Sequence, residues 1–111
     1  MKHYIYALVD PETAEIFYVG RSTNPERRYT QHVRAARACA ERLRTGRANY
    51  SRGMHRTWEI AHILNRGDIP GLVVLDTVEA EHFTEVLPIE GAWIEREKAA
   101  GHPLTNDPTY V

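Results

Sequence analysis

Two tyrosine-bearing triplets stand early in the chain, Tyr4-Ile5-Tyr6 and Tyr18-Val19-Gly20, separated by eleven residues. Arg28 follows ten residues beyond Tyr18 and His32 four residues later, a spacing that puts both on one face of a helix. Far downstream come Glu90 and the pair Trp93-Ile94. Phenol and imidazole groups can move protons, and a guanidinium grips phosphate oxygens as negative charge builds on them. A lone carboxylate can hold Mg²⁺ or Mn²⁺, because such ions keep several waters and take further oxygens from a phosphate. Each residue also has an ordinary reading taken alone. Strand tyrosines usually pack, a single helix histidine usually lies on a surface, and Glu90, like Glu95 and Glu97, could be a solvated carboxylate.

The elements that must position these side chains follow from pattern. Tyr4 to Val9 alternates as a strand does, Asp10 to Ala14 supplies turn residues, and Ile16 to Val19 reads as the returning strand. Period two places Tyr4, Tyr6 and Leu8 on one face of the first strand, and Ile16 and Tyr18 on one face of the second. Asn24 with Pro25 is a helix start. The helix is expected to run to about Leu43 with Val33, Ala36, Ala40 and Leu43 as its apolar stripe. Residues 45–53 read as a loop. A second helix is expected over about 54–65, with Met54, Trp58, Ala61 and Leu64 inward and Gly67 ending it. Leu72 to Leu75 reads as a third strand. From Glu79 to Ala100 the pattern is helical around Pro88, which implies either two helices meeting there or one helix with Pro88 in its first turn. The expected order is ββααβα: an α+β fold with a small three-stranded antiparallel sheet flanked by helices, a single domain over 1–111. Trp58 and Trp93 fit a core at helical spacing. His3, His55, His62, His82 and His102 show no metal-ligand spacing.

Charge sharpens the picture. The 111-residue chain has a formal net charge of −1, which by itself argues against nucleic acid. Sorted by position, residues 21–56 hold ten Arg against Glu26 and Glu41, a local balance of +8, between a −2 start and a −7 remainder. An arginine-rich segment without lysine suits phosphate contact, and Arg34, Arg37, Arg42, Arg44, Arg47, Arg52 and Arg56 are candidates for it. The one cysteine, Cys39, excludes an internal disulfide and suits a reducing cytoplasm. No apolar run approaches the roughly 18–20 residues of a membrane span, and Asp10 comes too soon for a secretory signal.

With these residues in order, the sequence resembles the GIY-YIG nuclease family. The resemblance runs over about residues 3–106 through Ile5 and Tyr6, Tyr18 and Gly20, Arg28, His32, Glu90 with Trp93 and Ile94, and Asn106. The first glycine of the family's name is Tyr4 here, which alters packing at the strand start. Arg21 stands where some relatives carry lysine. The resemblance implies a metal-dependent endonuclease hydrolysing DNA, double-stranded or branched. Tyr6 is then the general base, with its proton affinity lowered by Arg21, Arg28 and the metal. Tyr18 is a supporting donor, Arg28 the phosphate grip, and His32 a proton or phosphate contact. Glu90 is the ligand of one Mg²⁺ or Mn²⁺. Gly20, Arg21, Arg27, Arg34 and Arg37 are expected along the nucleic acid. Asn106 is expected to order the C-terminal segment. Weak sequence preference, or direction by substrate shape, a homodimer or a specificity partner, goes with so small a chain. A binding module of the same fold without turnover and an RNA-directed nuclease are the alternatives.

Overall fold

The computed structural model describes residues 1–47 and 55–106. Strand β1 (Lys2–Val9) is central, with β2 (Ile16–Ser22) and β3 (Gly71–Glu79) antiparallel on its two sides. Helices α1 (Pro25–Arg44) and α2 (His55–Asn65) lie between β2 and β3 in the chain. A 3₁₀ turn (Phe83–Glu85) leads into α3 (Leu87–Ala99). The order ββααβα and the three-stranded antiparallel sheet are those expected. Among the described residues no helix is long and apolar enough to cross a membrane.

The start of α1 obeys its local chemistry: the Asn24 side chain accepts from the Arg27 amide at 3.1 Å, and Pro25 opens the first turn. Gly67 closes α2 with a left-handed φ of +87° and an amide bonded to the Leu64 carbonyl at 3.0 Å. Pro88 sits in the first turn of α3, where its missing N–H costs nothing. The candidate Met54 lies outside the described residues, as do Arg52 and most of the loop expected at 45–53.

The sheet is covered on both faces. On one, Tyr6, Leu8 and Phe17 pack against Ala36 of α1 and Ile60 and Ile63 of α2. On the other, Ile5 and Val19 pack against Val86 and Ile94. Cys39, Ala40 and Ala61 fill the seam between α1 and α2. Alternation along β1 thus delivers Tyr6 and Leu8 to the α1–α2 side, as period two requires.

Four local expectations are corrected. Ile16 and Tyr18 do not share a face: Leu8 pairs with Tyr18 and Val9 with Ile16, so Phe17 is an extra residue that bulges the strand. Tyr18 then packs with the α1–α2 cluster and Ile16 with the opposite one. The third strand runs to Glu79, well past Leu75, and Val73 and Val74 are exposed because β3 is an edge strand. In α2 the fully buried residues are Ile60, Ile63 and the expected Ala61, while Trp58 and Leu64 are only partly covered. Glu97 is not solvated like Glu95. It is buried, with Oε2 3.4 Å from His102 Nε2, while His102 Nδ1 accepts the Ile16 amide at 3.1 Å.

That last contact begins a strip along the outer edge of β2. Thr105 bonds the Phe17 carbonyl through both its amide (2.6 Å) and its hydroxyl (2.7 Å). Asn106 accepts the Val19 amide at 3.0 Å and donates to the Val19 carbonyl at 2.7 Å. The segment after α3 therefore satisfies backbone groups that an edge strand would leave open. Asn106 orders this segment, as expected.

Candidate active site

One cleft of about 580 Å³ gathers side chains from every α-helix and every strand except β3. Tyr6 of β1 and Tyr18 and Arg21 of β2 meet Arg28 of α1, Arg56 of α2, Glu90 of α3, and Thr105 and Asn106 of the strip. Three arginines thus face a single carboxylate, since Glu90 is the only acidic residue on the described lining. Residues far apart in sequence converge because β2 ends beside the N-termini of α1 and α3.

Tyr6 is 1% exposed, and its hydroxyl shares a 2.7 Å hydrogen bond with Nε2 of His32, itself 3% exposed. Tyr18 completes the aromatic group, its ring centre 6.2 Å from that of Tyr6 and 5.6 Å from the imidazole. Burial, with Arg56 and Arg28 nearby, pushes His32 down to about 3, so the imidazole is neutral at neutral pH. Burial first, and then Tyr18, pushes the Tyr6 phenol well up, although Arg28 and Arg56 pull the other way. The expectation of a lowered Tyr6 is therefore reversed in the free protein: loss of hydration outweighs the arginines. Glu90 is raised by burial against the opposing pull of Arg21, whose Nε lies 4.0 Å from Oε1.

Two placements bear on the expected roles. His32 lies behind Tyr6 and off the cleft lining. Gly20 is buried against the two tyrosine rings. A Cβ there would sit 2.6 Å from Cζ and Oη of Tyr6 and 2.8 Å from Cε2 of Tyr18. Gly20→Ala is therefore expected to cost about 1–3 kcal/mol, the usual range for overpacking, and to shift the Tyr6 hydroxyl off His32. Urea unfolding measures the first effect, and an unchanged midpoint would show that the rings can step aside.

Of the expected nucleic-acid contacts, Arg21 is in the cleft, while Arg27, Arg34 and Arg37 are exposed on α1 outside its lining. Arg37 and Arg44 border a separate depression with Asn65 and Gly67. Trp93 is structural: it packs under the sheet, and its Nε1 donates to Asp76 at 3.1 Å. Sequence reasoning singled out neither Leu87 nor Thr105 as lining the cleft, and named Arg56 only within a list of arginines.

A family model described as the GIY-YIG catalytic domain matches residues 2–68, over half of the chain. The chain belongs to the GIY-YIG family. The matched stretch of this GIY-YIG chain carries Tyr6, Tyr18, Arg28 and His32, and the fold brings Glu90 and Asn106 from beyond the match to the cleft lined by Tyr6, Tyr18 and Arg28. No curated protein and no solved structure matches the chain.

The donor set suits a hard divalent ion in one particular way. Among the described residues no three His, Cys, Asp or Glu side chains gather into a cage. Glu90 offers one carboxylate at an arginine-rich cleft, so Mg²⁺ or Mn²⁺ would be held between Glu90, water and substrate oxygens.

Proposed function

We propose that this GIY-YIG protein is a divalent-metal-dependent endonuclease that hydrolyses DNA phosphodiester bonds, acting in the cytoplasm and with weak sequence preference or direction by substrate shape. The observation that carries the reading is the convergence of a buried Tyr6–His32 pair, Arg28 and Glu90 on one cleft.

A water attacking phosphorus must lose a proton as its oxygen bonds to phosphorus and the bond to the leaving oxygen breaks. Tyr6, almost fully protonated, cannot serve as a standing phenolate. It can accept the water's proton while passing its own to His32, which is neutral and 2.7 Å away. That relay requires the imidazole proton on Nδ1, leaving Nε2 free to receive. Tyr18 walls the pair and holds its geometry. Arg28, exposed at the cleft and donating to Gln31 Oε1 at 3.1 Å, turns to the phosphate and opposes its growing charge. A divalent ion at Glu90, when bound, supplies Lewis acidity toward the phosphate and the leaving oxygen.

Incubating supercoiled plasmid with Mg²⁺ or Mn²⁺ tests this directly. Wild type is expected to nick it, and Arg28→Ala to nick about 10²–10³-fold more slowly, the usual loss for one donor to a developing oxyanion. Binding without nicking, on branched as well as plain DNA, overturns the nuclease reading. Cleavage confined to RNA overturns the choice of substrate.

A further inference from the structure

Arg56 is the second residue of α2 and belongs to none of the sequence elements that marked the site. It nevertheless lines the cleft, with its guanidinium carbon 4.9 Å from the centre of the Tyr18 ring. Its Nε is shut away from solvent and has no acceptor among the described residues. A charged N–H left in that state carries a desolvation cost that the fold does not recover, so such groups call for an explanation. The carboxylate on the described lining does not supply one, because Glu90 lies against Arg21. Stacking on an aromatic face holds the planar fork in a fixed direction, which suits it to a planar or tetrahedral oxyanion.

We propose that Arg56 is a second phosphate-gripping residue of this site, its guanidinium binding an oxygen of the substrate phosphodiester beside Tyr18. The proposal rests on the nuclease reading for the identity of the substrate, and on the stranded Nε and the Tyr18 stack for the anion. It has a consequence for the proton relay. Arg56 and Arg28 both disfavour a proton on His32 in the empty cleft. A phosphate bound between them cancels part of that repulsion, so His32 becomes a better acceptor when substrate is present.

Two variants separate a substrate contact from a structural stack. Arg56→Met keeps an unbranched stem against Tyr18 and loses the charge, while Arg56→Lys keeps the charge and loses the fork. With metal, kcat for plasmid nicking is expected to fall about a hundred-fold in Arg56→Met, with Arg56→Lys recovering part of it. The melting temperature of Arg56→Met is expected to stay level or rise, because a stranded buried N–H is removed. Without metal, fluorescence anisotropy with a short DNA duplex reads the phosphate contact itself. The slope of log affinity against log salt is expected to shrink by about one in Arg56→Met.

If wild type does not nick but the slope shrinks, the nuclease reading fails and the phosphate contact stands. If wild type nicks and Arg56→Met matches it in both rate and salt slope, Arg56 is only a stack on Tyr18 and the proposal is overturned. Should Arg56→Met fail to fold, the same two readouts on Arg56→Gln decide, since it also removes the charge and a purely structural arginine would show no change in salt slope.

Discussion

Glu90→Gln is expected to lower metal-dependent cleavage about a thousand-fold or more while leaving the fold intact. The two side chains have nearly the same shape, so Gln fills the same place on the first turn of α3. What disappears is the negative charge on the described cleft lining, and with it the carboxylate that would hold a hard cation. Loss of Lewis-acid help to a phosphoryl transfer is worth several kcal/mol of barrier, and about 1.4 kcal/mol corresponds to a factor of ten. Stability should move the other way. Glu90 is half-buried and burial disfavours its charged form, with only Arg21 at 4.0 Å in partial compensation. A neutral amide is cheaper to desolvate, so the melting temperature should hold or rise slightly. That opposition between activity and stability is the signature of a group kept for function. Nicking assays over a metal titration, beside thermal melts, measure both. Full activity in Glu90→Gln would remove Glu90 from the reaction.

Tyr6→Phe and His32→Gln are each expected to slow cleavage about 10²–10⁴-fold, the usual contribution of a positioned acid–base group. The double variant should be scarcely slower than either single one. Members of one relay fail together, because neither can move the proton without the other. Independent roles would instead multiply, so an additive double variant rejects the relay. Metal-free binding to DNA should survive in all three, since His32 is off the cleft lining and the phenyl ring remains.

The same pair sets a dependence of stability on pH. His32 in the folded chain titrates near 3 against a usual value of 6.5. Below about pH 6.5 the unfolded chain takes up a proton that the folded chain refuses, so folding is progressively disfavoured as pH falls toward 3. Between pH 7 and 4.5 the loss should be about 2–3 kcal/mol from this group. His32→Gln cannot titrate and should flatten that part of the curve in urea unfolding, relative to wild type.

Much of the architecture was legible because the signals are local. Asn24 and Pro25 mark a helix start through the atoms they offer or lack, and Gly67 marks a helix end through a backbone angle other residues avoid. Alternation along β1 sends Tyr6 and Leu8 to the same face. The ordered set Tyr6, Tyr18, Arg28, His32 and Glu90 could be named from spacing and family resemblance together. The fold brings Tyr6, Tyr18, Arg28 and Glu90 to one cleft, with His32 directly behind. The bulge at Phe17 was not legible, because an extra residue in a strand is defined by its partner and leaves no mark in composition. Nor was the burial of Glu97, which depends on His102 folding back against the start of β2.

The sequence by itself determined the order of the elements, the residues able to do phosphoryl chemistry, and the sorting of positive charge into residues 21–56. Those are properties of neighbours along the chain. Tertiary structure decided which of those charges line the cleft. It placed Arg21, Arg28 and Arg56 in the cleft and left Arg27, Arg34 and Arg37 outside its lining, although all lie in the same basic stretch. It also decided what the tyrosine is. A phenol beside arginines reads in sequence as easily ionised, whereas within the packed sheet face its lost hydration outweighs them and its proton is held tightly. The physical reason is common to both cases. Charge is counted along a chain, but its energy depends on distance and on the water that remains, and only the fold sets those.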